Sequence, residues 1–186
     1  VARGSFVESL PPGELDCSFG SGGFARLPWS GPLEQSPQTH ARGLDFIATG
    51  REQSVVVIGM VDTRAPSDWP GGPGSWGFWQ LTSAGLPRSA LGENGYLPVE
   101  TGLLTAPEFA SAVAVSGSGQ IYGVGYGRSE GRLQATGAVV RLQPGGRVDP
   151  VFSSGSGSTA RLLPPPSGSL NDAVRAVLID YSAPET

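Results

Sequence analysis

A glycine-dense motif occurs three times along the chain. The first copy is G-E-L-D-C-S-F-G-S-G-G-F at 13–24, the second is G-L-P-R-S-A-L-G-E-N-G-Y from residue 85, and the third is G-R-V-D-P-V-F-S-S-G-S-G from residue 146. Such an internal repeat restricts the chain to architectures in which copies of one structural unit stack on one another. In the ungapped alignment, each of these residues matches its counterpart in at least one other copy: Gly13, Asp16, Phe19, Gly20, Gly23, Gly85, Gly92, Gly95, Gly146, Asp149 and Phe152.

Other segments recur in step with the motif. A-T-G-R-E-Q-S-V-V-V-I-G at 48–59 aligns with A-V-S-G-S-G-Q-I-Y-G-V-G at 114–125, and W-Q-L at 79–81 corresponds to V-R-L at 140–142. The first two motifs start 72 residues apart and the second and third 61 apart. The first interval is therefore 11 residues longer than the second. Six of the extra residues lie between 20 and 59, and five lie between 59 and 85. The basic unit therefore has about 61 residues, with two loop insertions in its first full copy.

A unit of this length, with short apolar runs separated by Gly, Ser or Pro, holds roughly four antiparallel strands, which is one propeller blade. We therefore predict an all-β fold of propeller-like blades, just under three in number. Residues 1–24 end a blade, 25–96 form a blade with two insertions, 97–157 form another, and 158–186 start a further one. Because propellers close with about four to eight blades, we expect a fragment, a ring completed by other chains, or an open stack with covered ends. A single β-sandwich is the alternative.

The pattern G-x-L-D-x-S-F-G-x-x-G, followed by an A-x-A-V-like strand and a strand ending in glycine, resembles the bacterial delta-60 repeat family. The second copy departs from the pattern at Pro87 and Arg88, and the third has Ser153 and Ser156 in place of glycines. The resemblance implies propeller-like β blades and a periplasmic, extracellular or cell-envelope location, and it implies no common activity. The residues that carry it are Gly13, Leu15, Asp16, Ser18, Phe19, Gly20 and Gly23.

Composition excludes several classes of protein. Glycine and proline are abundant, at 29 and 17 residues, but regularly spaced apolar runs such as V-V-V-I at 55–58 indicate a folded chain and not a disordered one. All 12 basic residues are arginines, they do not cluster, and the net charge is −4, so nucleic acid is not an expected partner. No segment approaches the roughly 20 apolar residues of a membrane helix.

The glycine motif is predicted to be a structural turn and not a phosphate-binding loop. A phosphate loop needs a following helix, whereas F-A-R-L-P-W-S after Gly23 is typical of a strand stopped by proline. We expect the glycines to adopt positive φ, Asp16 and Asp149 to cap neighbouring N–H groups, and Phe19 or Phe152 to pack between blades. The aspartates are isolated and not grouped as D-x-D-x-D, so we expect no metal and no cofactor.

Catalytic groups are scarce. The only histidine, His40, lies in the first insertion, which is predicted to be an exposed loop, and neither G-x-S-x-G nor H-E-x-x-H occurs. The single cysteine, Cys17, has no histidine near it in the sequence. The sequence leaves open whether two carboxylates form a pair for glycoside hydrolysis, because the fold and not the sequence spacing brings such pairs together. We predict that the protein is not an enzyme.

The second insertion, at 62–79, holds three of the four tryptophans. Long loops often bind partners, and Trp and Arg are enriched at interfaces. The hypothesis is a non-catalytic β-repeat scaffold or accessory subunit that contacts other protein chains; the alternative is a glycan-binding or glycan-processing propeller piece that uses this loop. In a competing interpretation, Trp79 belongs to the core, and Trp69 and Trp76 fasten the loop to its own blade. The expected partner or ligand contacts are Arg64, Trp69, Trp76 and Trp29.

Overall fold

The chain folds into β-strands, as its sequence predicts. A computed structural model describes residues 14–27, 38–49, 52–62, 75–99, 101, 105–128, 135–152, 161–162 and 174–179. These residues contain no helix, and hence none that is long and apolar enough to cross a membrane. The described residues form eight strands: β1 (Gln38–Thr49), β2 (Glu52–Asp62), β3 (Ser75–Thr82), β4 (Tyr96–Val99), β5 (Thr105–Val115), β6 (Ile121–Arg128), β7 (Ala135–Leu142) and β8 (Arg161–Leu162).

The strands form two antiparallel sheets in which each strand pairs with the next one along the chain. The first sheet has the order β1-β2-β3-β4 and the second β5-β6-β7-β8. Strand β8 is two residues long and pairs with the middle of β7. Consecutive pairing needs only short connections, which agrees with the turn residues that separate the apolar runs.

The two sheets share a register irregularity at the same place. Gly59 of β2 faces Ala41 of β1, and Gly125 of β6 faces Ala110 of β5. In both sheets the register shifts immediately after that alanine, which is the mark of a β-bulge in the first strand. The first hairpin of each sheet, β1–β2 and β5–β6, is therefore bent at corresponding residues.

The turns that follow β3 and β7 also correspond. Gly85 N–H donates to the carbonyl of Thr82, and Gly146 N–H donates to the carbonyl of Gln143, both at 2.9 Å. The two glycines have φ of +75° and +83°. Their separation along the chain equals the unit of about 61 residues that the sequence predicts.

The two sheets pack face to face on one core. Trp76 and Phe78 of β3 are fully buried, and their rings lie against two glycines of β6. A Cβ on Gly123 would lie 2.5 Å from Phe78 Cζ, and one on Gly125 would lie 2.7 Å from Trp76 Cζ2. Only glycine lets the backbone of β6 approach these rings so closely. The core comprises Val56, Ile58, Trp76, Phe78, Leu91, Val99, Ala110, Val113, Val115, Ile121, Ala138, Val140 and Leu142.

The first strands of the two sheets also contact each other. Val115 N–H of β5 donates to Asp45 Oδ2 of β1 at 2.8 Å. A Cβ on Gly43 would lie 2.9 Å from the Cα of Ala112, so the two backbones are in direct contact there. Two four-stranded meanders packed in this way fit a pair of neighbouring propeller blades and a β-sandwich equally well.

Three boundaries differ from the sequence prediction. His40 lies in β1 opposite Met60 and not in a loop, because β1 continues to pair along the second half of β2. Residues 75–79 belong to β3, so the second insertion is shorter than predicted. The first sheet runs to Val99, three residues past the predicted end of the unit at 96, because β4 follows the glycine motif and pairs back to β3.

Candidate functional site

The glycine motif forms tight turns in its described copies. Gly20 and Gly92 have φ of +59° and +62°, and a Cβ on either would lie 2.1 Å from a carbonyl oxygen, that of Phe24 or Tyr96. Neither position can therefore take a side chain without moving the turn. Gly13 lies outside the described residues. Positive φ also occurs at Gly23, Gly85, Gly95 and Gly146.

The motif aspartates accept hydrogen bonds within their own turns. Ser18 N–H donates to Asp16 Oδ1 at 2.9 Å, and Val151 N–H donates to Asp149 Oδ1 at 3.0 Å. The Ser18 hydroxyl also donates to Asp16, and these hydrogen bonds lower the pKa of the Asp16 carboxyl. Within the described part of the chain, no three His, Cys, Asp or Glu side chains gather in a group that could hold a metal ion. The geometry of both aspartates is that of a turn.

Asp149 has a second partner in Arg141 of β7. Arg141 Nε donates to Asp149 Oδ2 at 2.8 Å, its Nη2 lies 2.6 Å from the same oxygen, and its guanidinium lies 4.7 Å from the centroid of the Phe152 ring. Burial of Asp149 raises the pKa of its carboxyl. The hydrogen bonds and charge of Arg141, with the N–H groups of Val151 and Phe152, lower it by more, so the net shift is downward.

Replacing Asp149 by asparagine is expected to make the stability of the protein change less with pH in the acid range. A carboxyl with a lowered folded pKa stabilises the native state above its unfolded pKa of about 3.9, and this stabilisation disappears as the pH falls through the folded pKa. The thermal midpoint of the wild type should therefore fall more between about pH 5 and pH 2 than that of Asp149→Asn. Calorimetry across this range measures the difference, with Glu93→Gln, at an exposed carboxylate, as the control. Parallel curves for wild type and Asp149→Asn would contradict the assignment.

Each motif contacts the glycine that opens the next motif. Phe19 is half-buried, and a Cβ on Gly85 would lie 3.2 Å from its Cδ1. Leu91, at the corresponding position of the second motif, is fully buried, and a Cβ on Gly146 would lie 2.6 Å from its Cδ1. Phe152, in the third motif, packs edge-on against Tyr122 of its own sheet, with ring centroids 6.0 Å apart.

An apolar groove lies between the first motif and the turn after β3. Its volume is about 600 Å³, and we call it the N-terminal groove. Gly20 N–H donates to the carbonyl of Ala84 at 2.7 Å, which holds the two sides together. Two large apolar side chains of its lining are exposed, Phe24 by 67% and Leu86 by 57%. The groove is lined by Gly20, Ser21, Phe24, Ala25, Arg26, Gly85, Leu86 and Pro87.

In the second motif, the residue that corresponds to Phe24 is covered by a strand of the first sheet. Tyr96 occupies the position of Phe24 in that motif and is only 3% exposed. It pairs with Trp79 of β3, with ring centroids 5.2 Å apart, and burial raises the pKa of Tyr96 to about 12. Within the described part of the chain, residues 24–27 pair with no neighbouring strand. The exposed ring of Phe24 thus lies where an adjacent strand covers Tyr96.

A second cavity, of about 270 Å³, brings arginines from two distant parts of the chain together. We call it the arginine cleft; it is lined by Arg42, Phe109, Ala110, Ser111, Tyr126 and Arg175. The Phe109 and Tyr126 rings stack with centroids 5.1 Å apart, and the Arg175 guanidinium lies 5.4 Å from the centroid of Tyr126. Both arginines are exposed.

The structure changes the expectation for the tryptophans. Trp76 is fully buried between the two sheets, so it is part of the core and not an exposed contact for a partner. Trp79 is also buried, in a second cluster with Val57 and Tyr96, as the competing interpretation predicts. Trp29, Arg64 and Trp69 lie outside the described residues.

Sequence reasoning did not single out the residues of the arginine cleft. Arg175 lies in a segment whose sequence resembles residues 109–115, and that similarity was the one available signal of its importance. Arg42 lies in β1 beside the bulge, and no sequence motif marks it.

Comparisons with protein-family models, with curated proteins and with solved structures find no match for this chain. The N-terminal groove and the arginine cleft are therefore the two candidate functional sites.

Proposed function

We propose that the protein is a non-catalytic scaffold or accessory subunit whose blade-like β units bind other protein chains. The observation that carries this proposal is the exposure of Phe24, 67%, against 3% for Tyr96 at the same motif position. In this proposal a strand from another chain covers the N-terminal groove as β3 covers Tyr96 in the first sheet. The family resemblance adds a periplasmic, extracellular or cell-envelope location to the proposal.

The correspondence between the two sheets supports propeller-like blades of the delta-60 type. Both sheets have a four-stranded meander, a bulge beside the same glycine and a glycine turn after the third strand. The contacts of Phe19 with Gly85 and of Leu91 with Gly146 link each motif to the next in the same way. Identical contacts between successive units are what a stack of repeats requires.

The segment 24–27, which borders the N-terminal groove, packs against the first sheet at its end. Leu27 packs against the cluster of Trp79, Tyr96 and Val57, which anchors the end of the 24–27 segment on the first sheet. The ring of Phe24 stays exposed near the start of this segment. Covering a side chain of this size removes enough apolar surface from water to contribute about 2 kcal/mol to binding.

The occupant that fits the groove is a β-repeat unit of the same kind, supplied by a second copy of this chain. In the first sheet an aromatic side chain of the third strand covers Tyr96. An edge strand of another copy, such as β4, can pair with residues 24–27, with backbone hydrogen bonds for affinity and an apolar side chain against Phe24. Such contact is heterologous, since it joins different surfaces of the two copies.

Replacing Phe24 by serine is expected to weaken self-association of the purified chain. The ring of Phe24 is buried only when two chains associate, so its loss should raise the dissociation constant about tenfold or more. Sedimentation equilibrium over a range of concentrations measures this constant. Leu44→Ser is the control, because Leu44 is 61% exposed on β1 and does not line the groove. A wild-type chain that stays monomeric at its highest soluble concentration, or equal association of Phe24→Ser and wild type, would refute the proposal.

A further inference from the structure

The arginine cleft concentrates positive charge on a chain of net charge −4. Arg42 comes from β1 and Arg175 from the segment 174–179, and the two line one cavity of about 270 Å³. Neither has an ion-pair partner among the residues that the structure describes. Arg141 provides the contrast, because its guanidinium is neutralised by Asp149. Two guanidinium groups that share a cleft, with no counter-charge among the described residues, favour the binding of an anion.

Arg175 is held in place by a stack of aromatic rings. Its guanidinium lies over the ring of Tyr126, and Tyr126 stacks on Phe109 with an angle of 27° between the ring planes. A guanidinium placed over an aromatic ring keeps its N–H groups free to bind an acceptor, and its planar fork matches the two oxygens of a carboxylate. The stack therefore presents Arg175 to a ligand and limits the side-chain entropy lost on binding.

The rest of the lining indicates an organic anion and not an inorganic one. Ser111 and Tyr126 bring hydroxyl groups that can bind an oxygen acceptor. Phe109 is half-buried and Ala110 is buried, so part of the wall is apolar and suits a carbon skeleton. The volume is slightly below the range of about 300–1,000 Å³ that is usual for small-molecule pockets. It suits a ligand, or a part of one, about as large as one sugar or one amino acid.

We propose that the arginine cleft is a binding site for a carboxylate-bearing ligand of this size. Arg175 binds the carboxylate in a bidentate manner, Arg42 supplies the second positive charge, and Ser111 and Tyr126 bind oxygen atoms of the same ligand. The carboxylate belongs to an acidic sugar or to an acidic amino acid. This site is separate from the N-terminal groove, so the proposal does not depend on self-association.

Isothermal titration calorimetry of the whole chain at low ionic strength tests the site with pairs of probes. D-glucuronate is compared with D-glucose, which has no carboxylate, and L-glutamate with L-glutamine, which keeps the α-carboxylate and lacks only the side-chain carboxylate. The second pair therefore tests the side-chain carboxylate of an acidic amino acid. We expect one of the two carboxylates to bind and its neutral counterpart not to bind, and the carboxylate that binds identifies the source. Added salt should weaken this binding, because both arginines are exposed.

Variants of the arginines link the binding to the cleft. Arg175→Gln and Arg42→Gln should each raise the dissociation constant of the carboxylate about tenfold or more. Arg147→Gln is the control, because Arg147 is an exposed arginine that does not line the cleft, and it should bind as the wild type does. All three variants replace exposed residues, so their thermal midpoints should stay close to that of the wild type.

Three results would overturn the proposal. The first is that neither carboxylate binds more tightly than its neutral counterpart. The second is that the Arg42 and Arg175 variants bind the carboxylate as tightly as Arg147→Gln does. The third is that inorganic phosphate binds as tightly as the better carboxylate, which would make the cleft a general anion site.

Discussion

Replacing Trp76 by alanine is expected to lower the free energy of unfolding by about 3–5 kcal/mol, the range for loss of a large buried aromatic side chain. Trp76 is fully buried in the core that the two sheets share, and its ring lies against Gly125 of the opposite sheet. The substitution therefore opens a cavity at the contact between the sheets. Because a domain has only about 5–15 kcal/mol of stability in total, the loss is large enough to see in any unfolding experiment.

Chemical denaturation measures this effect, with two further variants for comparison. Leu178→Ala replaces a side chain that is 94% exposed and should change stability by no more than about 0.5 kcal/mol. Trp76→Phe keeps most of the packing and removes the buried Nε1–H, which has no hydrogen-bond partner in the part of the chain that the structure describes. Trp76→Phe should lower the free energy of unfolding clearly less than Trp76→Ala does. Its stability can still be measured if the alanine variant does not fold. If Trp76→Ala cost no more than Leu178→Ala, Trp76 would not belong to the core.

Replacing Gly123 by valine is expected to destabilise the chain by about 3 kcal/mol, at the upper end of the usual cost of overpacking. A Cβ at this position would lie 2.5 Å from Phe78 Cζ and 2.7 Å from Ile58 Cδ1, and both of those side chains are fully buried. Neither can move aside without disturbing the packing of the first sheet. Gly123→Ala adds less volume and should cost less than Gly123→Val.

A double-mutant cycle tests whether the clash with Phe78 causes this loss. Phe78→Leu is destabilising by itself, but it makes room opposite Gly123. The cost of Gly123→Val should therefore be smaller in the Phe78→Leu background than in the wild type, by more than the roughly 0.5 kcal/mol within which independent sites add. Additive costs would show that the two positions are not in contact.

The sequence predicts the strands better than it predicts the contacts between them. The apolar run at 55–58 lies in the centre of β2, because a strand covered by neighbours needs continuous apolar residues. The turns were predictable from their glycines, since few other residues adopt positive φ. The predicted end of the unit at 96 leaves out most of strand β4, Y-L-P-V, which is short and contains Pro98, a residue that only an edge strand tolerates.

The candidate sites were harder to predict because tertiary packing assembles them. The arginine cleft combines residues of β1, β5, β6 and the segment 174–179, and nothing in the local sequence of Arg42 distinguishes it from other exposed arginines. The sequence predicts Trp76 in a binding loop because it falls in the second insertion, at 62–79. The backbone pairing of β3 places it in the core instead.

The central claim is that residues 24–27 are covered by a strand of a second chain, and hydrogen exchange at these residues tests it most directly. We expect the backbone N–H groups of Ala25, Arg26 and Leu27 to exchange more slowly at concentrations at which the chain associates than at lower ones. In Phe24→Ser the exchange rates at a given concentration should lie closer to those of the unassociated chain. Association of the wild type without any slowing of exchange at residues 25–27 would contradict the claim.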